Sequence, residues 1–447
     1  MNRPRLVLIS PKGPLYRHRG GIFGQGLRYM PQTFPTLAAL IPGDVNVELR
    51  CYDEGIVSID PETLEADLVG MTVITGSAPR AYELAAVFRR RGIPVVLGGP
   101  HVTLVPEDAR PHADAIVQGL AEISWPQLLR DWQAGCLQAD YNEQPPFDLQ
   151  SPPPDRSVLP RRKYLTDAVF EATRGCHHGC EFCVSPAAWG RKVWFKPVAH
   201  VVEDIRRHGK KRIIFVDLNL ISSRTYALEL FHALKPLNLK WFGLSTSRIA
   251  EDPELLEACA QSGCSGLLVG LESIDPAALK EMNKSFNHPD AYAALVEALH
   301  RKRIALQGCF VFGNDGESPE VFDKTARFAV EAGIDLPRFA ISTPFPGTPL
   351  FHRLEAEGRI LHRDWGKYDG QHCVFQPQGM SAEEVEQGSE RAWKLAYSLS
   401  GCAKRIRHTP VSLPLAVLTN LTYRRYAHNL HKFYTCDWGL ARPGICP

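Results

Sequence analysis

Cys176, Cys180 and Cys183 fall within one short stretch, Glu171-Ala-Thr-Arg-Gly-Cys-His-His-Gly-Cys-Glu-Phe-Cys183. Three thiolates on one loop can hold three irons of a four-iron cluster and leave the fourth iron open to a small molecule. Glycines at 175 and 179 let the backbone turn tightly against such a cluster. Structural zinc takes four ligands, and His177 or His178 could complete that set; a loop of inert thiols is the third reading. The C-x3-C-x2-C spacing directly behind a candidate strand argues against both. The remaining members of the 12 cysteines are scattered and read as small buried hydrophobes.

The elements that must position this loop form two strand–helix series. In the first, candidate strands are Leu6–Ile9, Val45–Cys51, Asp67–Ile74, Pro94–Leu97 and Ala115–Val117. Helical composition covers Ala78–Arg91 and Pro35–Leu40. Such alternation predicts a doubly wound, Rossmann-like parallel sheet with ligands at the strand carboxyl ends, here Thr72–Ser77, Gly98–His101 and Gly119–Glu122. A proline-rich stretch follows, with Gln144-Pro-Pro and Ser151-Pro-Pro-Pro-Asp. The second series comprises Ala168–Ala172, Arg212–Asp217, Trp241–Ser245, Gly266–Gly270, Ala305–Phe312 and Arg338–Ser342, with a helix from Pro253 to Ser262 stopped by Gly263. Six such units predict a partial (β/α)6 barrel of the TIM type, with its chemistry at the strand carboxyl ends. The expected organisation is an α/β domain over 1–140, a linker over 141–165, the barrel over 166–370 and a mostly helical extension over 371–447.

The 447 residues suit two to three domains. A hydrophobic fraction of 44% and a charged fraction of 22% exclude disorder over most of the length. A net charge of +2 gives no whole-chain field for nucleic acid, so no nucleic-acid partner is expected. No apolar run reaches membrane-spanning length, and the apolar stretch near Met1 is too short for a signal peptide. A cytoplasmic location is the expectation. Arg391 to Cys436 contains Arg391, Lys394, Lys404, Arg405, Arg407, Arg424, Arg425 and Lys432 but no Asp or Glu, beside the apolar run Leu413–Leu421. That composition fits either a packed extension with solvated charges or peripheral contact with an anionic membrane.

With Phe182 in the aromatic place of C-x3-C-x-aromatic-C, the chain resembles the radical S-adenosylmethionine superfamily. The resemblance implies a 4Fe-4S cluster on Cys176, Cys180 and Cys183. It also implies S-adenosylmethionine chelating the open iron and yielding a 5′-deoxyadenosyl radical. Val269-Gly-Leu-Glu-Ser273 matches the fourth-strand motif, which places Glu272 on S-adenosylmethionine, and Gly308–Gly313 resembles the strand that packs near the adenine. Thr343-Pro-Phe-Pro-Gly-Thr-Pro349 resembles the sixth-strand turn. The implied S-adenosylmethionine set is Phe182, Asp217, Ser245, Glu272 and Phe312. The usual Gly-Gly-Glu is replaced by Asp217-Leu-Asn219, which leaves the partner of the methionine amino group unassigned.

A doubly wound domain ahead of such a barrel resembles the cobalamin-binding branch. Its implied cobalamin set is Thr72, Val73, Thr75, Gly98, Gly99, His101, Gly119 and Glu122, with His101 as a loop or tail contact. The Asp-x-His-x-x-Gly motif that supplies a cobalt ligand elsewhere is missing, so the cobalt is expected to lack a protein imidazole. The implied activity is a C-methyltransferase that moves a methyl group from methylcobalamin to an unactivated carbon of a small or lipid-like molecule, with an electron donor such as flavodoxin or ferredoxin. The competing outcomes are oxidative cyclisation or rearrangement with the same cofactors, and a non-enzymatic cobalamin sensor or carrier. Catalytic residues acting on substrate are unassigned; Asp217 and Tyr368 occupy plausible places but read as structural.

Overall fold

The computed structural model describes residues 3–13, 29–144, 149 and 151–430. Part of the proline-rich stretch (145–148 and 150) and the end of the basic tail, with Lys432 and Cys436, lie outside the described residues.

The first sheet consists of β1 (Arg5–Ser10), β2 (Glu48–Asp53), β3 (Leu68–Thr72), β4 (Val95–Gly98), β5 (Ala115–Val117) and β6 (Asp140–Tyr141). All pairs are parallel and the order is β2-β1-β3-β4-β5-β6. The inner strands β1, β3, β4 and β5 are buried on both faces, which is why they read as nearly continuous apolar runs. Leu6, Leu8, Val96 and Val117 pack with Phe34 and Trp125 on one face. Val7, Ile9, Val69, Met71 and Leu97 pack with Leu84 and Phe88 of helix Ala78–Arg90 on the other. The strand order reverses between β1 and β3, so a ligand crevice opens outside their carboxyl ends. β2 lies at 48–53 rather than 45–51 because its register with β1 runs from Arg5↔Glu48 to Ser10↔Asp53. β3 stops at Thr72, and Thr75–Ser77 forms a tight turn into the following helix.

The second unit contains β7 (Val169–Phe170), β8 (Thr173–Gly175), β9 (Val193–Phe195), β10 (Arg212–Phe215), β11 (Lys240–Ser245), β12 (Cys264–Glu272), β13 (Ala305–Phe312) and β14 (Arg338–Ile341). Six of these form a parallel sheet in the order β14-β13-β12-β11-β10-β7, the open (β/α)6 barrel. The expected strand over Ala168–Ala172 is broken. Asp217 accepts hydrogen bonds from the Ala172 and Thr173 amides and from the Thr173 hydroxyl, which draws the chain off the ladder after Phe170. The chain then pairs as β8 with antiparallel β9. The cysteine loop lies between these two short strands.

Helices Ala382–Ala396, Leu399–Ile406 and Leu413–Ala427 follow the barrel. The Trp393 indole donates to the Phe339 carbonyl (3.1 Å) and the Tyr397 hydroxyl to the Pro337 carbonyl (2.9 Å), fastening these helices to the β14 edge. Buried Arg405 donates to Asn420 (2.8 Å), joining the second helix to the third. Among the described residues no helix is long and apolar enough to cross a membrane.

Candidate functional site

β8 delivers Cys176, and Cys183 sits at the start of helix Val184–Trp189, so the cysteine loop is anchored at both ends. Distant segments hold its middle. The Glu181 amide donates to the Met282 carbonyl (3.1 Å), and the Asn283 side chain donates to the Gly179 carbonyl (2.7 Å). The Arg353 guanidinium donates to both oxygens of Glu181 (2.9 and 3.1 Å), to Glu281 (2.8 Å) and to Asp315 (3.1 Å). Phe182 packs on Ala278, Leu279 and Met282 beneath the loop. The three thiols are free, and burial pushes their pKa values up, that of Cys183 to about 11. Metal binding must therefore displace their protons.

Lys284 supplies the compensating charge. Burial alone would lower its pKa, but Glu272 and the cysteines hold it cationic. Its ammonium pairs with Glu272, and both side chains are nearly buried. Glu272 itself is shaped by strain. It is a non-glycine residue at φ +67°, where the register of β12 against β13 shifts. Such strained bulges persist only where neighbours enforce them. Here Asn287 donates to the Gly270 and Leu271 carbonyls (both 2.9 Å), and Tyr292 donates to those of Leu271 (2.7 Å) and Ser273 (3.2 Å).

A cavity of about 360 Å³ lies between the carboxyl ends of the first sheet and the mouth of the barrel. Its apolar lining includes Leu8, Phe34, Leu37, Val96, Val117 and Trp125. Gly70 leaves room between two of these side chains, since a Cβ there would lie 2.8 Å from Leu8 and 3.6 Å from Trp125. Its polar lining includes Gln32, Thr72, Glu122, Arg174 and Trp189. Arg174 bridges the two units, donating to Glu122 (2.6 Å) and Glu171 (2.7 Å), and Lys196 pairs with Glu171 (2.9 Å). Gln32 Nε2, Glu122 Oε2 and Trp189 Nε1 are buried without a hydrogen-bond partner. All three belong to residues lining this one cavity.

The Radical SAM superfamily profile matches residues 170–329, a B12 binding domain profile matches 43–129, and a domain of unknown function matches 348–430. The bacteriochlorophyllide d C-12(1)-methyltransferase of Chlorobaculum tepidum is 32% identical over 423 residues, 92% of this chain and 91% of that protein. The chain belongs to the cobalamin-binding radical S-adenosylmethionine enzymes. A second relative from the same organism, bacteriochlorophyllide d C-8(2)-methyltransferase, is 30% identical over 76% of this chain and 79% of its own length. The solved structure of the Kitasatospora setae methyltransferase TsrM, with cobalamin and a 4Fe-4S cluster bound, shares the fold. Its TM-score is 0.68 at 16% identity, covering 99% of this chain and 100% of that one.

This radical S-adenosylmethionine enzyme uses a 4Fe-4S cluster, S-adenosylmethionine and cobalamin. Its residues fit those groups. The cysteine loop offers three free thiols facing a cation. Among the described residues no three His, Cys, Asp or Glu side chains converge on a single-ion site. The cavity's lining fits cobalamin, with small residues at Gly98, Gly99 and Gly119 that admit close approach and a largely apolar set of side chains around them.

Of the residues expected at cobalamin, Thr72, Gly98, Gly99, Gly119 and Glu122 line the cavity; Val73, Thr75 and His101 do not. Val73 is fully buried, its amide donating to the Gly98 carbonyl (2.7 Å). His101 is likewise fully buried. Its Nδ1 lies 3.3 Å from the Thr75 hydroxyl and its Nε2 lies 3.0 Å from Asp108 and 3.2 Å from the Tyr82 hydroxyl. It bolts the loop to the helix behind it instead of meeting a ligand. Of the S-adenosylmethionine set, Glu272 faces the cysteine loop with Lys284, and Phe182 supports that loop. Asp217 is committed to the β7–β8 backbone, and burial raises its pKa to about 7 with help from the Glu171 charge. Ser245 shares the strand face of Trp241, and in the core the Phe312 ring stacks on Phe339 (5.6 Å) and meets Phe322 edge-on (4.8 Å). Two-residue alternation leaves Leu244, Gly270, Cys309 and Val311 on the less buried face of their strands. Lys284, Asn219, Arg353 and Trp189 were absent from the sequence expectations. Asn219 is buried, its side-chain oxygen accepting from the Ile221 amide (3.3 Å), and it counters the burial that raises the Cys176 pKa; its place after Asp217 was the available signal.

Proposed function

We propose that this enzyme methylates an unactivated carbon of a small, lipophilic molecule. The observation that carries the reading is a shared wall. Arg174, two residues before Cys176, and Trp189, at the end of the helix that starts after Cys183, both line the cavity fitted to cobalamin. A methyl carrier and a radical source must act on one substrate atom, and one short segment touching both sites sets that proximity. When bound, the cluster with S-adenosylmethionine supplies a hydrogen-abstracting radical and the cobalamin supplies the methyl group.

The chain's own residues bind and orient. Cys176, Cys180 and Cys183 hold the cluster, Glu272 and Lys284 receive S-adenosylmethionine beside it, and Thr72, Gly98, Gly99, Gly119 and Glu122 receive cobalamin. The bacteriochlorophyllide substrates named for both relatives support a lipophilic substrate here. A flavodoxin or ferredoxin is the fitting electron source.

Peripheral membrane contact would come from helix Leu413–Ala427. It turns Leu413, Leu415, Leu418 and Leu421 outward, beside the basic residues of the extension. Cosedimentation with anionic liposomes tests this: removing the residues after 390 should abolish partition, and equal partition of both forms would remove the idea. Anaerobic turnover with lipophilic candidates tests the reaction. S-adenosylhomocysteine formed alongside 5′-deoxyadenosine means methyl transfer; 5′-deoxyadenosine alone means cyclisation or rearrangement.

A further inference from the structure

Of the large apolar side chains left exposed among the described residues, Leu218 is the one that also lines the cavity between the first sheet and the barrel. It retains 44% exposure. A leucine exposed singly on a convex surface is ordinary. One exposed inside a concave site is different, because a molecule seated there takes it out of water.

This exposure is built into the chain. Leu218 follows β10, at the strand end where a barrel places its chemistry. The residue before it, Asp217, is buried and accepts from the Ala172 amide (3.1 Å) and the Thr173 hydroxyl (2.8 Å). The residue after it, Asn219, is equally buried. Its carbonyl accepts from the Ser222 hydroxyl (2.8 Å), and its side-chain oxygen accepts from the Ile221 amide (3.3 Å). With both neighbours pinned, the backbone of Leu218 is held, and a contact ordered in advance loses little freedom when a ligand covers it. Alternation along this stretch gives Val216 and Leu218 to the cavity and buries Asp217 and Asn219.

The two units furnish the cavity differently. The first sheet contributes Gly98, Gly99 and Gly119, which bring backbone against a ligand. The barrel contributes branched hydrocarbon through Val216 and Leu218. Leu218 has neither charge nor hydrogen-bonding group, so what it fits is a carbon-rich surface, and a corrin macrocycle has one.

We infer that Leu218 is the barrel's apolar contact on the bound cobalamin. This rests on the assignment of the cavity to cobalamin. It goes beyond that assignment by giving the barrel its own hold on the cofactor of the other unit. The hold comes from the loop whose next residue, Asn219, opposes the burial that raises the Cys176 pKa, so one short loop serves both centres.

The test is equilibrium dialysis of the cluster-reconstituted chain against hydroxocobalamin, read by corrinoid absorbance, with S-adenosylmethionine binding measured in parallel. Leu218→Ala should weaken hydroxocobalamin about three- to thirtyfold, the range for a part-exposed leucine taken out of water. Leu218→Met keeps the volume and should stay within about threefold of the unaltered protein. Leu218→Asp should bind more weakly than Leu218→Ala, because its carboxylate must shed water. Leu218→Ala should leave S-adenosylmethionine affinity unchanged. If Leu218→Ala and Leu218→Asp both bind hydroxocobalamin like the unaltered protein, the contact is wrong. Loss of S-adenosylmethionine affinity in Leu218→Ala, with hydroxocobalamin affinity kept, would place the leucine at the other ligand and likewise overturn it. Failure of the unaltered protein to bind hydroxocobalamin would instead overturn the assignment of the cavity. The urea midpoint and iron content of each variant separate a lost contact from a folding defect, and the Met variant, which keeps shape, isolates the contact from any effect of substitution alone.

Discussion

Replacing Arg353 with Met should loosen the cluster although Arg353 is no ligand. Its guanidinium grips Glu181, which lies between Cys180 and Cys183, through two parallel hydrogen bonds, and also binds Glu281 and Asp315. Hydrogen bonds to charged groups contribute about 1.5–3 kcal/mol when well buried. Arg353 retains 29% exposure and its acidic partners 15–28%, so screening reduces the sum to about 2 kcal/mol. Burial and the Asp315 charge already raise the pKa of Glu281, so removing the cation leaves crowded carboxylates behind the loop. If iron leaves only when the loop opens, about 2 kcal/mol makes opening roughly thirtyfold easier. The assay is anaerobic release of iron from the reconstituted chain to a chelator, followed by absorbance. Arg353→Met should release iron about ten- to a hundredfold faster, and Arg353→Lys should fall between, since it keeps charge without the fork. Iron release from Arg353→Met at the unaltered rate, with full initial iron, would refute the clamp.

Gly99→Ala should impair folding of the first sheet and weaken hydroxocobalamin binding. The residue has φ +106°, and a Cβ would sit 2.8 Å from the Val73 carbonyl, so the cost exceeds the roughly 1–2 kcal/mol of left-handed strain alone; urea unfolding and dialysis check it. Lys284→Met leaves Glu272 an unpaired, nearly buried carboxylate, a loss of about 3–5 kcal/mol. Equilibrium binding of S-adenosylmethionine to the reconstituted variant should drop by more than tenfold, and the double variant with Glu272→Gln should regain stability without regaining binding. Burial pushes Asp217 and Glu317 up to about 7. Between about pH 4 and 7 the folded chain then keeps protons that the unfolded chain has lost, so these two groups make stability fall as pH rises through that window. Asp217→Asn should flatten the fall in urea midpoint of the apo-chain between about pH 5 and 7.5, and an undiminished fall would count against the assignment.

The parts of the site that were readable in the sequence are those set by local spacing. The cysteine loop, the two parallel sheets and the glycines at 98, 99 and 119 come from motifs and apolar runs, which depend on nearest neighbours. Side chains that act across long separations were not readable. Arg353 meets Glu181 across 172 residues, and nothing near either marks the pair. Trp189 looks like a helix residue until the barrel is docked against the first sheet. His101 illustrates the reverse error: a histidine after Gly-Gly reads as a ligand contact, whereas Tyr82 and Asp108 claim its ring from another element. Ser245 and Phe312 were sortable, because alternation along β11 and β13 assigns them to the faces of Trp241 and Phe310. The break after Phe170 was hidden because Asp217, 47 residues on and just beyond the end of β10, causes it.

The central claim is that one segment, from Arg174 to Trp189, brings the cluster and the cobalamin against the same wall. Electron paramagnetic resonance of the chain carrying both a reduced cluster and cob(II)alamin tests it most directly. The account predicts that both signals appear at stoichiometry equal to the chain and that each broadens or speeds the relaxation of the other. A cob(II)alamin spectrum identical with and without the reduced cluster would contradict it, because two centres on one short wall cannot be magnetically independent.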